Sequence, residues 1–193
     1  MSKNLLRLKL LGSPSVFLNQ EEVFFPFAKI NALLYYLHIN GAVNREEIAG
    51  ILWENKDNQT AKKNLRNTIY QANKLLGGEW IVAPNRTVLS LNPECAIESD
   101  VERFTDHPTE HLSLYQGDFL QGFYLKDSEA FDYWVSKMRT RYEQLYIQAC
   151  YQQLETEKDH LDLEEAERNL RRLISIDEFD EKNYHLLMKL YQD

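Results

Sequence analysis

Cysteine is nearly missing from this chain. Its 193 residues hold two, Cys95 and Cys150, far apart and in neither metal nor redox spacing. That excludes a disulfide framework and fits a reducing cytoplasm. Long apolar runs are missing too, and nothing approaches the roughly 18–20 residues of a membrane span. The N-terminus, MSKNLLRLKLLG, sets charges among its leucines and so lacks the apolar centre of a signal peptide. Glycine and proline are sparse, at seven and five, and the glycines form no phosphate-cradling loop. His38, His160 and His185 stand apart from any nucleophile pattern. His107 and His111 are close in sequence, but Pro108 breaks the helix that would align them, and no third ligand has metal spacing. No catalytic residue, metal site or cofactor is expected.

What is present is a core and an uneven charge distribution. The chain is 44% hydrophobic and 12% aromatic, enough for a packed interior. Its net charge is −8, divided as +2 over residues 1–98 and −10 over residues 99–193. A slightly basic half before a strongly acidic one suggests two modules with different partners.

Leu6, Leu8 and Leu10 alternate with Arg7 and Lys9 as in a strand, and Gly12 and Pro14 end the run. Val16–Leu18 and Val23–Phe25 flank Asn19–Glu22, a predicted hairpin. Ile30, Leu33, Leu34 and Leu37 then keep helical spacing up to Gly41. Asn44 and Glu47 form a capping-box pair opening a second helix with Ile48, Ile51 and Leu52 inside. The polar loop Glu54–Gln59 leads to a third helix, Thr60–Leu76, closed by Gly77-Gly78. Trp80–Ala83 and Val88–Leu91 predict a two-stranded ribbon with Arg86 at its tip.

The third helix carries the most information. Thr60–Leu76 has four basic side chains and no acidic one. Ala61, Leu65, Thr68, Ile69, Ala72, Leu75 and Leu76 fall on one side at 3.6-residue periodicity. Lys63, Asn67, Tyr70 and Lys74 centre the other side, flanked by Arg66 and Gln71. Cations and amides on one face suit phosphates and base edges. Strands, three helices and a ribbon in this order predict an α+β winged helix-turn-helix with an extra N-terminal sheet. The DNA-binding candidates are Lys62, Lys63, Arg66, Asn67, Tyr70, Gln71, Lys74 and Arg86.

From Ser99 the texture changes. Ser99-Asp100-Val101-Glu102 caps a short helix, and Pro108 marks a linker spanning 99–114. Tyr115, Phe119 and Phe123 suit core packing better than a small-molecule pocket. A long helix over 128–155, another capped at Asp162 and a third around Leu186–Tyr191 predict an all-α, TPR-like domain over 115–193. The final helix has no sequential partner, so the array reads as truncated.

The segments LKLLGSPSV, FAKINALLYYL, NREEIAGILW, AKKNLRNTIYQANKLLG, YQGDFLQGF and FDYWVSKMRTRYEQLY, in that order, resemble SARP-type bacterial transcription regulators. Members of that family join a winged helix to a bacterial transcriptional activator domain. The resemblance implies a cytoplasmic, sequence-specific activator that binds double-stranded DNA and contacts RNA polymerase. The polymerase-facing loop would be Glu54, Asn55, Lys56, Asp57, Asn58 and Gln59. Ala72-Asn73-Lys74 departs from the Leu-Arg pair of many relatives, so base preference does not carry over. The exposed edge of the helical domain suits a homodimer. The competing reading is a helical protein-interaction adaptor whose winged helix no longer binds DNA, and the weak +2 charge of the first half favours it.

Overall fold

The computed structural model of the chain describes residues 4–156 and 162–191. The leucine alternation becomes strand β1 (Leu5–Lys9), with Leu6 and Leu8 buried and Arg7 and Lys9 exposed. Strand β2 (Ser15–Leu18) runs antiparallel to it, with Leu6 opposite Leu18. The returning arm β3 is only Glu21–Glu22. Here the expected hairpin is corrected. Asn19 and Gln20 have φ of 52° and 77°, so two left-handed residues complete the reversal and the strand resumes at once. Val23 still donates its amide to the Val16 carbonyl at 2.8 Å, but Val23–Phe25 forms no regular strand, and Phe24 is 79% exposed.

Helix α1 (Ala28–Asn40) is buried on most of its surface, including Ile30, Leu33, Leu34, Tyr35, Tyr36 and Leu37. A helix apolar nearly all round belongs at the centre of a core. Burial holds the Tyr35 hydroxyl far above its ordinary pKa of 10.0. After Gly41 come β4 (Val43–Asn44) and α2 (Arg45–Leu52), whose first amides are capped as expected by the Asn44 side chain. Helix α3 (Asn58–Leu76) packs on α1 and α2. Strands β5 (Ile81–Val82) and β6 (Val88–Leu91) follow. The expected two-stranded ribbon is a three-stranded sheet, because β4 pairs with β6, Val43 opposite Leu89. Two residues carry too little pattern to be read as a strand.

Strand β7 (Ala96–Ser99), also unforeseen, joins β1 in parallel with Leu6 opposite Ile97. It leads straight into α4 (Asp100–Asp106), capped by Ser99. The Asp100 carboxylate accepts the Leu10 amide at 2.8 Å and the Leu11 amide at 3.0 Å. Beyond Tyr115 the chain returns to the same seam. Gly12 donates to the Asp118 carbonyl at 3.1 Å, and Leu120 donates to the Leu10 carbonyl at 2.8 Å. Segment 99–114 is thus packed against the first sheet, with Phe104 and Leu112 buried.

Helices α5 (Glu129–Thr156), α6 (Leu163–Ile176) and α7 (Glu181–Leu190) complete the described chain. Trp134 of α5 meets Tyr36 at 4.8 Å and Phe119 at 5.6 Å between ring centroids, so one aromatic cluster joins the first helix to the long one. Tyr115 and Phe119 are buried and Phe123 is half-buried in the core. Leu186, Leu187 and Leu190 pack partly against that core, while Tyr191 is 60% exposed. No described helix is long and apolar enough to cross a membrane.

Candidate nucleic-acid interface

Helix α3 starts two residues earlier than its apolar pattern, because Asp57 caps it by accepting the Thr60 amide at 3.0 Å. Ala61, Leu65, Thr68, Ala72 and Leu76 are buried, and Ile69 is half-buried. Leu75 departs from the expected face and is 44% exposed. The chain leaves the helix through left-handed Gly77 and covers the Leu76 side with Trp80, whose indole donates to the Leu76 carbonyl at 3.1 Å. Lys63, Arg66, Asn67, Tyr70 and Lys74 are exposed, whereas Lys62 and Gln71 are half-buried.

Three elements meet around an open cleft of about 240 Å³ lined by Arg45, Glu46, Lys62, Leu65, Arg66, Arg86 and Thr87. Lys62 is committed to an ion pair with Glu46. That hydrogen bond and the adjacent positive charge hold the Glu46 carboxyl below its usual range. Four cationic side chains face one carboxylate, and three of them are guanidiniums, whose planar forks match phosphate oxygens. Arg45 is a site residue that sequence reasoning missed. Only the β4–β6 pairing, with the Arg45 amide on the Thr87 carbonyl at 2.8 Å, carries it to the cleft. Its one local signal is its place just after the Asn44 cap.

The tip of the sheet is built by Asn85. Its Oδ1 accepts the Thr87 amide at 2.9 Å and the Val88 amide at 3.0 Å, an Asx turn that leaves Arg86 exposed between them. The base of the sheet is fixed by Asn73, also missed in the sequence. Its Oδ1 accepts the Trp80 and Ile81 amides at 3.0 and 2.9 Å. The helix and the tip are therefore held in one frame.

The Glu54–Gln59 segment is shorter as a loop than expected, because Asn58 and Gln59 belong to α3. Glu54, Asn55, Lys56 and Asp57 are exposed, but two of them already have structural work. Asp57 is the cap. Glu54 Oε2 accepts the Ala130 amide at 3.1 Å in the first turn of α5, and Ser128 donates to the Ile51 carbonyl beside it. The His107 and His111 rings are 6.4 Å apart, and no group of three metal-type ligands gathers among the described residues.

No protein-family model matches the chain, and no curated protein matches it in sequence. Its fold is similar to that of a solved structure, Mycobacterium tuberculosis EmbR in complex with a low-affinity phosphopeptide. The TM-score is 0.71 at 21% identity, over 98% of this chain and 55% of that one. The chain thus spans about half the length of that neighbour. The likeness establishes a shared fold of helices and small sheets.

Proposed function

We propose that the chain is a sequence-specific DNA-binding transcription regulator of the SARP type, with β4 to β6 and helices α1 to α3 acting as a winged helix-turn-helix. The observation that carries this reading is the acid-free face of α3, continued by Arg45 and Arg86 across one cleft. A helix fits the major groove, about 12 Å wide, with its wing beside the backbone. Asn67 and Gln71 supply amides suited to adenine edges, while Lys63, Lys74, Arg45 and Arg86 suit phosphates. The fold likeness to EmbR supports the same arrangement. In this reading the Glu54–Asp57 loop contacts RNA polymerase in the cytoplasm, and the TPR-like helices α5 to α7 form a dimerising activator domain.

Selection of bound sequences from random duplex DNA tests the proposal, followed by affinity measured against salt. A recovered consensus, with affinity falling steeply as added salt reduces the gain from releasing counterions, is the expected result. Recovery of no consensus, with weak binding at all salts, favours the protein-binding adaptor instead.

A further inference from the structure

A second cationic cleft lies far along the chain, between α6, α5 and the Leu112–Tyr115 turn. It has a volume of about 550 Å³, and its α6 wall carries Arg168, Asn169, Arg171, Arg172 and Ser175. Positions three, four and seven residues apart share one helix face, so these donors converge. Arg172 is fixed in place: it donates to the Tyr115 carbonyl at 2.7 Å and lies over the Tyr115 and Tyr146 rings at 4.9 and 5.6 Å. Arg171 is held by Glu167 and the Tyr191 hydroxyl. Neither Arg168 nor Arg172 forms an ion pair with a described residue. One carboxylate, Glu165, also lines the cleft.

Asn169 is 5% exposed. Its Oδ1 accepts the Tyr146 hydroxyl at 3.1 Å, which turns the amide nitrogen the other way. That Nδ2 has no hydrogen-bond partner among the described residues. A buried donor left unpaired is costly, and most such groups in native proteins are completed by water or a ligand. Asn169 lines the cleft beside Arg168 and Arg172, two guanidiniums that form no ion pair with a described residue.

We infer that this cleft binds a small molecule bearing a phosphate monoester. Such a group offers three acceptor oxygens and a charge near −2 at neutral pH, matching two guanidiniums better than a carboxylate would. The cleft falls within the volume range of small-molecule sites, about 300–1,000 Å³, leaving room for the rest of the ligand. The surrounding half has a net charge of −10 and opposes a long polyanion, whereas a compact dianion meets mainly the local donors. This site lies beyond the DNA-binding reading and does not depend on it.

Calorimetric titration of the full chain with inorganic phosphate, glycerol 3-phosphate and acetate at constant ionic strength tests it. Both phosphates should bind saturably, with acetate weaker by about tenfold or more. Asn169→Asp keeps an acceptor for Tyr146 but replaces the free donor with a carboxylate, and should weaken phosphate binding by about tenfold or more. Arg168→Gln changes an exposed side chain and should weaken it by roughly fivefold. If Asn169→Asp fails to fold by circular dichroism, Arg168→Gln decides the matter. Failure of both phosphates to saturate, acetate binding equal to phosphate, or undiminished binding in the folded variants overturns the assignment. Binding of free phosphate without glycerol 3-phosphate overturns the monoester.

Discussion

Asn73 grips the backbone of Ile81 from both sides: its Nδ2 donates to the Ile81 carbonyl at 2.9 Å and its Oδ1 accepts the Ile81 amide at 2.9 Å. The same Oδ1 takes the Trp80 amide. One side chain on α3 thus sets where the following strand begins, and with it the position of Arg86 relative to Lys63 and Asn67. The preceding residue, Ala72, is fully buried, which anchors that turn of the helix.

Asn73→Ala removes three hydrogen bonds and leaves half-buried backbone groups unpaired. We expect a loss of about 1–3 kcal/mol in unfolding free energy, measured by denaturant titration. DNA affinity should fall as well, although Asn73 is directed at the sheet rather than outward. Unchanged stability would show that the β5 segment holds itself in place.

Arg45 and Arg86 face one cleft from α2 and the β5–β6 turn. Each alanine variant should make the slope of log affinity against log salt shallower by roughly one phosphate's contribution, about 0.9 for duplex DNA. The base preference recovered by selection should stay the same in both. Lys62→Ala should have a smaller effect, because that cation is already paired with Glu46. Equal slopes in parent and variants would remove the wing from the interface.

Glu54 bears on any test of polymerase contact. Its carboxylate accepts the Ala130 amide, so Glu54→Lys puts a cation at a helix N-terminus, where the dipole is unfavourable. Glu54→Ala should cost about 0.5–1 kcal/mol of stability, read from thermal unfolding. Asn55 and Lys56 hold no such position. Substitutions there should lower transcription without altering stability or DNA binding, and loss of both together would point to a role in folding.

Long periodic elements were legible from residue spacing. The existence of α1, the span of α5 and the buried face of α3 follow from apolar repeats, and the stop at Gly41 and the caps at Asn44 and Ser99 from local chemistry. Two-residue strands left no such trace. Without β4 on β6, nothing ties Arg45 to the wing, and without β7 beside β1, segment 99–114 reads as a linker. The cleft on α6 was hidden for another reason. Its donors follow a helical face that looks solvated until Tyr146 and Tyr115 are placed against it. Long-range pairing is what one sequence encodes least directly.

His38 joins α1 to the start of α4 and makes the fold sensitive to acid. Its Nε2 lies 2.7 Å from Ser99 Oγ and 3.8 Å from a Glu102 carboxylate oxygen. Burial pushes the imidazole below its ordinary 6.5, and the Glu102 charge opposes part of that shift. The folded state therefore favours neutral His38, while the unfolded chain takes up a proton below about pH 6.5. The contribution is complete above that value and is lost as pH falls through it toward the lower folded value. Stability should decline as pH falls through about 6.5, with a slope from this group of at most about 1.4 kcal/mol per pH unit. His38→Gln retains a polar contact for Ser99 and cannot titrate, so its decline there should be shallower. Urea unfolding of both proteins at several pH values measures the difference. A variant that loses as much stability as the parent would place the acid sensitivity elsewhere in the chain.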